Sequence, residues 1–176
     1  IYDEGTLIWS AGFDLRLNNG GSLTIETNGS LDDNGQVDAN IDLLTNSADY
    51  IFDNEGFFSV YSIDLNNTDG SLNITGSSDI NVLRDFKLKF DGISVTNNLS
   101  GILNVDHDLG LESDNTSFVN NGTIYVGHNF KLEREGSEFV NNAPLIVAVD
   151  FNLKGNNSLL TNNDTIINEA IMKKIY

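Results

Sequence analysis

The sequence predicts an all-β protein, a right-handed parallel β-helix of about seven to eight coils of roughly 21 residues each. Three observations carry this. The stretch from Gly101 to Asn163 is three copies of one 21-residue unit, opening at Gly101, Gly122 and Ala143. A fixed period near 20 residues marks a solenoid. Within each copy the apolar residues alternate at strand spacing, not helix spacing: Leu103 and Val105, then Leu109 and Leu111, with Ile124, Val126, Phe130 and Leu132, and Leu145, Val147, Phe151 and Leu153, at the same offsets. Each copy closes on paired asparagines, Asn120-Asn121, Asn141-Asn142 and Asn162-Asn163.

Taken in order, the same unit extends towards the N-terminus. Gly5 opens the first copy, followed by Leu7, Trp9, Phe13 and Leu15. Residues 18–27, with Leu23 and Ile25, read as an insertion that forms an extra strand or a bulged corner. Leu31 then takes the place that Phe118 holds later. Gly35 opens the second copy with Val37, Ala39, Leu43 and Phe52. Gly56 opens the third with Phe58, Val60, Ile63, Leu65 and Leu72. Gly76 opens the fourth, which carries two small insertions around Ile80, Val82, Phe86, Leu88 and Val95. Asp164 begins a partial eighth copy with Ile166, and the pattern then fails. Residues 1–167 are therefore assigned to the β-helix, and 168–176 to a C-terminal cap or the start of another segment. The recurrent glycines are expected at corners that need a positive φ. The asparagines are expected to bond amide to amide along a ladder.

Stacking puts equivalent residues above one another at about 4.8 Å, so seven or eight coils make a rod of roughly 35–40 Å. One internal column is expected from Phe13, Leu43, Ile63, Phe86, Leu109, Phe130 and Phe151. A second is expected from Leu31, Phe52, Leu72, Val95, Phe118, Phe139 and Leu160. One coil alone has too little apolar surface to fold, and stacking supplies a continuous core. An antiparallel sandwich also uses short alternating strands, but it gives no reason for matched offsets in successive copies. The right-handed crossover rule sets the expected hand.

Composition narrows the partners. The 176 residues carry 26 Asp and Glu against nine Lys and Arg, a net charge of -17. Nucleic-acid binding needs a basic surface that displaces counterions, so that class is not expected, nor is an anionic membrane surface. No cysteine is present, so disulfides contribute nothing. No apolar run reaches the length of a membrane-spanning helix, so membrane insertion is not expected. The start at Ile1 without a signal peptide suggests a mature or excised segment.

The pattern Phe52-Asp-Asn-Glu-Gly56 and Phe118-Val-Asn-Asn-Gly122, followed by Thr-Ile-x-Val and then Phe-x-Leu, resembles the repeats of filamentous-haemagglutinin-type adhesins and related bacterial surface β-helices. The resemblance covers Gly5 to about Ile166. It implies a secreted or surface-displayed rod, bacterial in origin, that presents side chains for attachment. The partners it implies are a host or cell-surface glycan or protein, or neighbouring copies or domains of the same surface protein.

Few residues carry reactive chemistry. His107 and His128 hold the same place in successive copies, so stacking brings them about 5 Å apart. With Asp106, Asp108 and Asn129 flanking them they form a candidate zinc or copper site, or else a repeat position where histidine is tolerated and Val149 replaces it one coil later. The residue before the phenylalanine column is Asp85, Asp108, Asn129 and Asp150 in turn. Such a column offers oxygen ligands for calcium, but Asp and Asn also serve corners by accepting backbone hydrogen bonds. Carboxylate pairs occur at Asp32-Asp33, Glu112/Asp114 and Glu133/Glu135. Glycoside hydrolysis needs two carboxylates across a groove, whereas an acidic solvated face is the ordinary meaning of such pairs. Asn-x-Ser/Thr triplets at Asn28, Asn66, Asn73, Asn98, Asn115, Asn121, Asn156 and Asn163 are glycan acceptors in a eukaryotic secretory route, and composition alone generates them. No column is threonine throughout, so an ice-ordering face is not expected.

The sequence thus points to a non-enzymatic β-helical segment, an adhesive module or rigid stalk, with no catalytic residue and no obligatory cofactor. The alternatives are a polysaccharide-acting β-helix lyase or hydrolase, or a calcium-stabilised carbohydrate-binding module.

Overall fold

The computed structural model describes residues 49–65 and 69–172 continuously, and upstream the strand segments 6–8, 15–17, 22–25, 30–32 and 40–43. It is a parallel β-solenoid built from three sheets. Each coil gives one short strand to each sheet, and every neighbouring pair of strands runs parallel. The first sheet holds eight strands, from Thr6–Ile8 to Ile166–Asn168. The second and third hold seven each, ending at Asp150–Leu153 and Leu159–Asn162. About five turns follow one another with a spacing near 21 residues in the continuously described part. The upstream strand segments pair in the same three sheets and bring the strands per sheet to seven or eight, the number of coils expected.

The register follows the repeat. Leu103, Ile124, Leu145 and Ile166 pair in the first sheet. Phe86, Leu109, Phe130 and Phe151 pair in the second. Leu72, Val95, Phe118, Phe139 and Leu160 pair in the third. Alternation decides which side chains enter: in Thr123–Val126, Ile124 and Val126 are buried while Thr123 and Tyr125 are only half-buried. Burying each such side chain contributes about 1.5–3 kcal/mol, and the interior is one continuous cluster along the solenoid.

Four expectations about the N-terminal copies need correction. Leu31 does not occupy the Phe118 position; its backbone pairs with Leu7 and Phe58 in the first sheet. Residues 22–25 are not an insertion but a regular strand of the third sheet, with Leu23 opposite Phe52. Phe52 in turn lies opposite Ile74, and Tyr50 opposite Leu72. Likewise Ile41, not Leu43, is the partner of Ile63, and Leu15 heads that column. The physical reason is the strand period itself. A shift of two residues keeps every side chain on its face, so Tyr50 and Phe52, or Ile41 and Leu43, satisfy the apolar pattern equally. Gly5, Trp9, Phe13, Gly35, Val37 and Ala39 lie outside the described residues.

The corners also differ from expectation. The coil-opening glycines Gly101 and Gly122 do not have a positive φ. They lack a side chain because the preceding coil's backbone is close: a Cβ on Gly122 would stand 2.3 Å from the Leu99 carbonyl oxygen. The left-handed corner lies elsewhere, before the third sheet. Asp69, Gly92, Asn115, Gly136 and Asn157 occupy it in successive coils, with φ between 54° and 74°. Only residue types that tolerate this region are found there.

Gly76 combines both constraints. Its φ is 113°, and a Cβ would come 2.1 Å from the carbonyl oxygen of Asn54. Gly76→Ala is expected to lower stability by about 1–3 kcal/mol, measured by thermal unfolding. Gly92→Asn places in the left-handed corner a residue already used there at Asn115. Only the flexible end of Asp69 must give way, so its effect is expected to be the smaller of the two.

After the last first-sheet strand the chain turns into a four-residue helix, Glu169–Met172. Among the described residues no helix is long and apolar enough to cross a membrane.

Candidate functional site

The corner between the first and second sheets gathers the titratable side chains singled out above. Backbone bonds carry the stack through it: the His128 amide donates to the His107 carbonyl at 3.0 Å, and the Val149 amide to the His128 carbonyl at 3.0 Å. Equivalent backbone places the two imidazoles face to face. Their ring centroids are 4.6 Å apart and their planes 12° from parallel. Each side chain is 44% exposed.

Each ring meets a carboxylate through Nδ1. His107 Nδ1 lies 2.9 Å from Asp85 Oδ1, and His128 Nδ1 lies 3.2 Å from Asp108 Oδ1. The same carboxylate oxygens accept the next coil's backbone: the Asp108 amide donates to Asp85 Oδ1 at 3.2 Å, and the Asn129 amide to Asp108 Oδ1 at 3.1 Å. The second oxygens receive ammonium groups. Lys87 Nζ is 3.0 Å from Asp85 Oδ2, and Lys131 Nζ donates to Asp108 Oδ2. The unit therefore repeats: one coil's aspartate clamps the amide and imidazole of the next.

The electrostatics follow from these contacts. Burial opposes ionisation of Asp85, but hydrogen bonds from His107 and Lys87 outweigh it and hold its carboxyl below the usual range. At Asp108 burial is likewise outweighed, by Lys131 and His128. Burial also works against the charge on Lys87, yet Asp85 and Glu112 raise its pKa. The hydrogen bond to Asp108 raises that of Lys131.

Asp85, His107, Asp108 and His128 are thus brought together. Asp150 continues the column opposite Asn129 and is exposed, outside the His–Asp cluster. His107, Asp108 and His128 offer ligand atoms within 4.8 Å of one another. For calcium the fit is poor. That ion takes six to eight oxygen ligands, and the oxygens of Asp85 and Asp108 already accept from amide, imidazole and ammonium groups.

The lysines were not legible as part of this corner. Lys87 and Lys131 stand two residues beyond Asp85 and Asn129, and period-two alternation puts such pairs on one face. That was the available signal. The outward column of the second sheet runs Asp64, Lys87, Gly110, Lys131 and Asn152. Glu112 bends over Gly110, where a Cβ would come 3.0 Å from its Cγ, and reaches Lys87 at 3.6 Å. A shallow groove beside it is lined by Leu111, Glu112, Lys131, Glu133 and Arg134.

Two further carboxylates serve the left-handed corner. Asp91 Oδ1 accepts the Asp114 amide, and Asp114 Oδ1 accepts the Glu135 amide, both at 3.1 Å. The asparagines form two ladders. The buried one donates towards the C-terminus, from Asn97 to Asn120, to Asn141 and to Asn162, at 2.9 Å each. The exposed one donates the other way, from Asn163 to Asn142, Asn121, Asn98 and Asn73, at 2.8 Å each. The triplet residues Asn73, Asn98, Asn121 and Asn163 belong to this exposed ladder, while Asn28 and Asn66 lie outside the described residues.

No protein-family model, curated protein or solved structure matches the chain.

Proposed function

We propose that the chain is a non-enzymatic, rigid segment of a secreted or cell-surface protein, bacterial in origin, of the kind seen in filamentous-haemagglutinin-type adhesins. It serves as a stalk or as an adhesive module whose ligand is a cell-surface glycan or protein. One observation carries this reading. The outward charges are used between coils: Lys89 with Asp64, Lys131 with Asp108, Lys154 with Glu133 at 3.0 Å and Lys87 with Glu112 at 3.6 Å. Each exposed pair contributes little stability. Their meaning lies in distribution: they run along the stack, and in the groove lined by Glu112, Lys131 and Glu133 each of these three charges meets a partner in a neighbouring coil.

The test exposes the purified chain to a panel of polysaccharides, cells and matrix proteins. The expected result is retention without turnover by an adhesive module, or no retention by a stalk. Release of reducing ends or unsaturated sugars would overturn the proposal.

A further inference from the structure

The paired histidine corner has a feature that stacking alone does not require. Both rings turn the same nitrogen, Nδ1, to a carboxylate. An Nδ1–H that donates to Asp85 or Asp108 fixes the tautomer and leaves Nε2 with its lone pair. Metal-binding histidines carry this second contact: the far ring nitrogen donates to a carboxylate, which orients the ring and raises its basicity. Here it occurs twice, one coil apart, with both imidazoles 44% exposed.

We propose that His107 and His128 bind one divalent transition-metal ion, of the copper, nickel or zinc class, through their Nε2 atoms, with Asp85 and Asp108 as the carboxylates that orient them. Imidazole donors suit these ions and not calcium or magnesium. Binding turns the rings out of their 12° stack so that the two lone pairs converge, and water fills the remaining positions. Exposure of both side chains leaves space for that rotation. The site has two histidines and no third, because Val149 stands in the next coil. The side-chain amide of Asn129 adjoins the site at 2.7 Å from His128 Nδ1, and its other end is buried without a partner; the Nδ1–H tautomer requires the amide oxygen, not the nitrogen, to face this ring atom.

Copper(II) titration of the whole chain tests this, read by electron paramagnetic resonance and by calorimetry. The expected spectrum shows coupling to two imidazole nitrogens at one equivalent of copper. His107→Ala and His128→Ala should each remove one nitrogen, and the double variant should remove both together with the tight binding. Asp85→Asn with Asp108→Asn should weaken binding about 10–100-fold while keeping the nitrogen signature. Circular dichroism of each variant establishes that it is folded. An oxygen-only spectrum in the parent chain would overturn the proposal. So would copper binding of unchanged affinity in the folded double-histidine variant, since the ion would then sit on surface carboxylates.

Discussion

Phe130→Ala is expected to lower the unfolding free energy by about 3–5 kcal/mol, the range for emptying a fully buried aromatic position. Phe130 has no exposed surface. Its ring stacks on Phe151 at 4.6 Å and meets Phe139 edge-on at 4.7 Å. Its strand is hydrogen-bonded in register to the strands of Leu109 and Phe151 on either side. Those two ladders hold the backbone at strand spacing, so the walls cannot close on the cavity and the cost falls at the upper end. Phe130→Leu introduces the residue that Leu109 already supplies one coil earlier, and its cost should stay below about 1.5 kcal/mol. Phe151→Ala should cost less than Phe130→Ala, because Phe151 is only partly buried in the last coil. Urea denaturation of the three variants provides the comparison.

Asn120→Ala is the second large effect. Asn120 is completely buried and sits inside the amide ladder. It accepts from Asn97 Nδ2 and donates to Asn141 Oδ1. Truncation therefore leaves a donor above and an acceptor below without partners. Each buried orphan costs about 1–3 kcal/mol, so the loss should reach about 2–6 kcal/mol. Asn121→Ala removes a residue from the exposed ladder one position further on. Water replaces both of its amide contacts, and the change should stay within about 0.5 kcal/mol. A difference of that size between adjacent asparagines separates the two ladders cleanly.

The sequence made some layers of this molecule legible and hid others. Leu109, Phe130 and Phe151 were readable as a stack because three copies of equal length leave no freedom in alignment. The asparagine ladder was readable for the same reason, although its split into two ladders of opposite direction was not. That split depends on whether an amide points inwards or outwards, and Asn120 and Asn121 differ by one strand position. Tyr50 and Phe52 defeated the register because a two-residue slip preserves the face. The left-handed corner at Asp69, Gly92, Asn115, Gly136 and Asn157 was hidden by its mixed composition: no single residue type marks it. At the histidine corner, His107 and His128 announced themselves by spacing. The lysines did not, because Lys131 answers an aspartate that belongs to the previous coil.

The most direct test of the in-register parallel stack is a nuclear Overhauser spectrum of the 19.3 kDa chain. Contacts should link the Leu109 methyls, the Phe130 ring and the Phe151 ring. Neighbouring strands should show amide contacts between coils and no short Hα–Hα contacts. Short Hα–Hα contacts between those strands, or no contact among the three side chains, would contradict the stacked solenoid.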